Sequence, residues 1–123
     1  MGLNNLDDSR EGIARFLARN PDTCFVAVEG RKVVGAILTG NDGRRGYIYH
    51  TAVHPEYRRL GIARQLVQRA MEALEECGIN KVALVVFERN ESGNLFWEKM
   101  GFTEWTDLSY RNRLIREMVR FDT

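Results

Sequence analysis

An amphipathic helical pattern lies between two strand-like runs in the middle of this chain, and that order constrains the fold more than any other feature. The run RGYIYHTAV, residues 45–53, is dominated by β-branched and aromatic side chains and stops at His54-Pro55, because proline has no N–H for a ladder. From Ile62 onward, Ala63, Leu66, Val67, Ala70, Met71 and Leu74 recur at helical spacing. Arg64, Gln65, Gln68, Arg69 and Glu72 hold the other face, and Gly78 closes the helix. NKVALVVF, residues 80–87, is then almost wholly apolar, as suits a strand buried on both faces in a parallel pairing. Such a crossover is right-handed in nearly all proteins, so the helix covers one sheet face and aims its N-terminus at the carboxyl edge of the preceding strand. Ligands of open α/β sheets collect at that edge.

The flanking segments supply further elements. Asp7, Asp8 and Ser9 offer N-caps to a helix carrying Ile13, Phe16 and Leu17, and Asn20-Pro21 stops it. TCFVAVE (23–29) and KVVGAILT (32–39) flank Gly30-Arg31 as a hairpin, and GNDGRRG (40–46) reads as a polar loop. A second short helix spans 92–100 before Gly101, and the runs 102–110 and 114–121 are expected to form an antiparallel pair. The sum is one α/β (α+β) domain over residues 1–123, with a mixed, mostly antiparallel sheet of about six strands and helices on both faces.

Composition narrows the function classes. Apolar residues at 44% and charged residues at 28% describe a chain that folds compactly. A net charge of +1 gives no field that would argue for nucleic acid or an anionic membrane. No apolar run approaches the ~18 residues of a membrane span, and MGLNNLDDSREG has neither a basic nor an apolar leader region. A cytoplasmic location is expected. Cys24 and Cys77 lack metal-ligand spacing and read as two packed thiols in a reducing compartment, so no metal is implied.

The helix start near Gly61 carries the chemistry. Backbone N–H groups there have no partner within the helix and lie at the positive end of its dipole, which attracts anions. Gly61 lacks a Cβ, so a phosphate can approach the main chain, and Ala63 leaves the next turn open. Arg58, Arg59 and Arg64 add donors and charge suited to a diphosphate. The same residues also fit a loop glycine beside a solvated basic face, and local sequence leaves both readings open. One glycine does not make a three-glycine dinucleotide fingerprint, and no G-x-x-x-x-G-K-[ST] string occurs.

R-R-L-G-I-A, Arg58 to Ala63, matches [QR]-x-x-G-x-[GA], the acyl-coenzyme A signature of the GNAT superfamily of N-acetyltransferases, and the chain resembles that family from Thr23 to Tyr110. YIYHTAVHPEYR is similar to its fourth strand and following loop, and NESGNLFWEKMGF resembles its N-x-x-A-x-x-L-Y-x-K-x-G-F segment. The resemblance implies acetyl-CoA lying between two splayed parallel strands that end near Val53 and Phe87. Its pyrophosphate would rest on the backbone of Arg58, Arg59, Leu60, Gly61, Ile62, Ala63 and Arg64, with Ala52 and Val53 beside the pantetheine or thioester. Asn90, Asn94 and Trp97 complete the implied cofactor set. The implied reaction is acetyl transfer to a primary amine of a small-molecule or peptide acceptor, by direct attack in a ternary complex. Two departures stand out. The family opens with a strand and a helix that this chain starts too late to contain, which would leave a sheet edge open to a partner strand or a homodimer. Trp97 falls where many relatives carry a tyrosine that protonates the departing thiolate.

An alkylammonium of pKa near 10.4 lies about 3 units from neutral at pH 7, roughly 4 kcal/mol that a general base has to supply. His50 is the first candidate, at a position where the resemblance places an acid in many relatives, and Glu88 is the second. Tyr110 is the candidate acid if its strand folds back over the cleft. His54 reads as structural, and Phe96, Trp97 and Phe102 as a core cluster, while Tyr47 and Tyr49 either line the groove or pack. Two non-enzymatic readings remain open: an acyl-CoA-binding regulatory module, and an interaction subunit completed by a partner chain.

Overall fold

The computed structural model describes residues 3–120. Packing divides these into two compact units, one formed by Arg15–Val85 and the other by the segments on either side of it. Helix α1, Arg10–Arg19, starts where Ser9 Oγ accepts the Gly12 N–H at 3.0 Å, so Ser9 is the cap among the three expected candidates. Asp8 instead accepts the Asn4 N–H at 2.8 Å and organises the preceding turn.

Within Arg15–Val85 lies a four-stranded sheet in the order β1-β2-β3-β4. Strands β1 (Phe25–Glu29), β2 (Lys32–Asn41) and β3 (Gly46–Val53) are antiparallel, and β4 (Val82–Leu84) runs parallel to β3. Glu29 pairs with Lys32 across the expected Gly30-Arg31 turn. The second turn is tighter than the expected seven-residue loop: β2 continues to Asn41, and Asp42 Oδ1 accepts the Arg44 and Arg45 amides at 2.8 Å each.

Helix α2, Ile62–Glu76, covers one face of this sheet. A Cβ added at Gly35 would lie 3.2 Å from Ile62 Cγ2 and 3.3 Å from Leu66 Cδ1, and one at Gly46 would lie 3.0 Å from Leu74 Cδ1. The two glycines thus mark the α2 side, and strand alternation puts Ile37, Thr39 and Ile48 on that side as well. Ile37, Ile48, Val67 and Leu74 are fully buried, each worth about 1.5–3 kcal/mol of transfer free energy. On the opposite face, Gly40 abuts Phe16 and Asn20 at the end of α1. Asn20 is buried, accepts the Asn41 N–H at 3.1 Å and donates to the Phe16 carbonyl at 3.3 Å, which pins the helix end to β2.

In the other unit, α3 (Glu91–Lys99) is closed by Gly101 at φ 93°. Phe96, Trp97 and Phe102 pack edge to face at centroid distances of 4.9 and 5.3 Å, the core cluster expected of them.

Several expectations are corrected. The sheet has four strands, because the runs from 102 to 110 and from 114 onward form no ladder with each other; Phe121 lies outside the described residues. The main chain of Val119 pairs elsewhere: its carbonyl accepts the Asn5 N–H at 3.0 Å and its N–H donates to Asn5 Oδ1 at 2.6 Å. Strand β4 covers only three of the eight expected residues, and Ala83 and Val85 are exposed, so that apolar run is not buried on both faces. Cys24 is half-buried, with its Sγ donating to the Thr39 carbonyl at 3.3 Å and its thiol pKa pushed up by burial. Cys77 is exposed just beyond α2 rather than packed.

Candidate functional site

Everything the anion reading needs lies at the start of α2. Gly61 is its N-cap at φ 81°, ψ 10°, with no side-chain cap, and the first helical bond runs from the Gln65 N–H to the Gly61 carbonyl at 3.1 Å. The amides of Ile62, Ala63 and Arg64 therefore have no acceptor among the described residues. Nothing lies within 4 Å of the position a Gly61 Cβ would take, so the space beside the main chain at this turn is open. Arg59 adopts φ 65°, the one described non-glycine residue at positive φ, and turns the chain sharply ahead of the helix. Leu60, Arg59 and Arg64 are exposed, and neither guanidinium makes a hydrogen bond or ion pair among the described residues. These groups fit a diphosphate: convergent main-chain donors, a positive helix end and two uncommitted cations.

The strand leading into this turn is exposed along one edge. The β3–β4 ladder ends at Ile48 opposite Leu84, while β3 continues to Val53. The His54 N–H donates to the Val34 carbonyl at 2.7 Å, which makes Gly35–Val53 a non-hydrogen-bonded pair of the antiparallel ladder. Thr51 and Val53 consequently direct their backbone groups away from β2, to the side that β4 has left. The Val53 carbonyl accepts Arg58 Nε at 3.2 Å, and its N–H remains available. Ala52, by the same alternation, exchanges its backbone bonds with Ala36 and offers only its side chain. The parallel ladder thus stops five residues short of the end of β3, and Arg58 is turned back onto the strand rather than outward.

A bulge sets the side chains upstream. Leu38 pairs with His50 and Thr39 with Ile48, leaving Tyr49 as the extra residue of β3. Tyr49 lies edge-on to Phe16 at 5.3 Å and 4.6 Å from Tyr47, so it shares the face opposite α2 with Tyr47, His50 and Ala52. His54 is structural: its Nδ1 accepts the Glu56 N–H at 3.1 Å and caps the short 3₁₀ turn Pro55–Tyr57.

The remaining expected site residues belong to the other unit. Asn90 caps α3 by accepting the Gly93 N–H at 3.0 Å. Asn94 Nδ2 donates to the Phe87 and Asn90 carbonyls at 3.0 and 2.8 Å, so both amides hold the entry to the helix. Trp97 is 8% exposed within its aromatic cluster, Glu88 is exposed, and Tyr110 is 65% exposed in a segment without strand structure. Two features escaped sequence reasoning. Arginine carries no signal for the left-handed region, and the Arg58–Val53 bond joins residues whose spacing alone does not indicate contact.

Comparison with known proteins adds a second line. A model of the acetyltransferase (GNAT) family matches residues 4–102. An acetyltransferase of Pectobacterium atrosepticum is 33% identical over 115 residues, spanning 94% of this chain and 82% of the relative. Among solved structures, Ard1 from Thermoplasma volcanium superimposes with a TM-score of 0.73 at 24% identity, over 77% of this chain and 65% of that one. A GNAT family acetyltransferase from Elizabethkingia anophelis, solved with acetyl-CoA bound, gives a TM-score of 0.64 at 18% identity, over 77% of this chain and 61% of that one.

Proposed function

The chain belongs to the GNAT family of acetyltransferases, and from that premise we propose that it acetylates a primary amine directly from acetyl-CoA within a ternary complex. The observation that carries the reading is the start of α2, where three unpaired amides, a left-handed glycine and open space coincide. Those amides hold the diphosphate, with Arg59 and Arg64 supplying charge. The Val53 N–H, directed to the side left by β4, donates to the thioester end and stabilises negative charge that develops on its oxygen. When bound, acetyl-CoA supplies an acyl carbon activated as a thioester.

His50 takes the proton that the acceptor ammonium gives up, with Glu88 as the alternative base. No acid is needed on the leaving side at neutral pH, because a thiol of pKa near 8.5 departs readily as thiolate. That agrees with Trp97 being buried and Tyr110 lying off any strand. Asn90 and Asn94 act on the cofactor through the helix entry that they fix. The protein works in the cytoplasm, where its two cysteines stay reduced.

Calorimetric titration tests the cofactor site. Acetyl-CoA and coenzyme A are expected to bind with micromolar Kd, ATP is expected not to bind, and the Arg59→Glu, Gly61→Val double variant is expected to lose both coenzyme ligands. Parent affinity in the double variant removes the site. His50→Ala is expected to lower turnover while leaving acetyl-CoA affinity in place; unchanged turnover moves the role to Glu88.

A further inference from the structure

The face of the sheet opposite α2 is apolar and open at its β1 end. Val26, Ala36 and Ala52 are direct cross-strand partners on β1, β2 and β3, and Val28 pairs with Val33 in the adjacent row. Val26, Val28 and Val33 are 59, 55 and 57% exposed, and Ala52 is exposed as well. No charged side chain interrupts the five, since Glu29 alternates to the α2 side.

We propose that this row is the acceptor's seat, and that the acceptor is a small primary amine bearing an apolar alkyl or aryl group. The inference rests on the acetyltransferase reading, and two observations direct it. Continuity is the first: Ala52 belongs to the row and adjoins Val53, whose free N–H marks the thioester end. Strands lie about 4.8 Å apart, so Val26 lies roughly 10 Å from Ala52 across Ala36, and an amine held beside Ala52 on a chain of about six carbons, roughly 7.5 Å long, comes within van der Waals contact of Val26. Area is the second. Three half-exposed valines and small alanines offer on the order of 200 Å² of apolar surface, well below the roughly 800 Å² per partner of a stable protein interface. The patch suits a small apolar group better than a second copy of the chain.

Hexylamine and ethanolamine, titrated into the coenzyme A complex and followed by valine methyl NMR shifts, test this independently of turnover. Four further carbons, three methylenes and a methyl, each about half-buried on a one-sided surface, predict roughly 15-fold tighter binding of hexylamine. The shifts are expected at Val26, Val28 and Val33, and the acetyl-CoA kcat/KM ratio of the two amines should follow. Val26→Ser with Val28→Ser is expected to reduce that preference at least threefold, a ratio that partial unfolding would leave unmoved. Equal affinity for the two amines, or hexylamine shifts confined to other residues, overturns the assignment of the acceptor. Failure of coenzyme A itself to bind would instead remove the acetyltransferase reading beneath it.

Discussion

Replacing Gly61 separates two roles of one residue. At φ 81° and ψ 10° an L-residue pays about 1–2 kcal/mol for its Cβ. No atom lies within 4 Å of that Cβ, so the cost in the free protein is backbone strain alone, without steric clash. Gly61→Ala should therefore destabilise by about 1 kcal/mol, close to 4 °C in Tm for a chain of this size. Asparagine tolerates the left-handed region, so Gly61→Asn should recover most of that loss. Affinity behaves differently. The Cβ of either variant enters the open space through which a diphosphate reaches the Ile62, Ala63 and Arg64 amides, and loss of one charge-assisted hydrogen bond costs about 1.5–3 kcal/mol, some 10- to 100-fold in Kd. Differential scanning fluorimetry measures the first effect and acetyl-CoA calorimetry the second. A Gly61→Asn protein that binds acetyl-CoA as the parent does would refute the claim that the main chain at this turn is the anion site, whatever its Tm.

Other substitutions probe the framework that positions this turn. Asn20→Ala removes the acceptor of the Asn41 N–H and should cost about 1–3 kcal/mol, read as a lower urea midpoint with unchanged slope. Thr39→Val should act oppositely: the Thr39 hydroxyl is buried with no hydrogen-bond partner among the described residues, and an isosteric methyl relieves its desolvation by about 1 kcal/mol, visible as a higher Tm. Asp42 accepts the Arg45 and Arg44 amides, which hold its carboxyl below its ordinary value of 3.8. A carboxyl depressed in the folded state contributes stability above its unfolded pKa and loses it as pH falls through the folded one. Melting curves of Asp42→Asn and the parent should thus differ at pH 6, and the difference should shrink as pH falls below the ordinary carboxyl value.

What was legible in the sequence divides along a physical line. Helices α2 and α3, the Gly30-Arg31 hairpin and the strand ending at Val53 are announced by periodicity, caps and turn residues that act within a few positions of each other. A strand, by contrast, exists only if another segment accepts its hydrogen bonds. Residues 102–110 and 114–120 have strand-like composition, yet Val119 bonds with Asn5, more than a hundred residues away in sequence, and no local pattern reports that competition. The eight-residue apolar run shrinks to the three residues of β4 for the same reason, because the length of a parallel ladder is decided by where its partner diverges.

The candidate site was readable for the opposite reason, since its donors are main-chain groups that any sequence carries, and only the residue permitting their exposure has to be specified. Gly61 is that residue, and the helical pattern after it states where the unpaired amides begin. The side chains around them were less legible because their directions depend on the turn geometry. Arg58 and Arg59 are adjacent and chemically alike, yet one bends back to the Val53 carbonyl while the other sits at φ 65° with its guanidinium in solvent. Two arginines that composition treats as one basic patch therefore have different work. Arg58 is committed to the Val53 carbonyl and leaves Val53 with its N–H as the free group, whereas the Arg59 guanidinium makes no hydrogen bond or ion pair among the described residues. The strand end and the helix start therefore offer two separate sets of backbone donors, the Val53 N–H and the amides of Ile62, Ala63 and Arg64, parted by a turn in which the His54, Glu56, Tyr57 and Arg58 amides are already bonded. A long thioester bearing a diphosphate at one end is a ligand whose two polar ends suit two such sets.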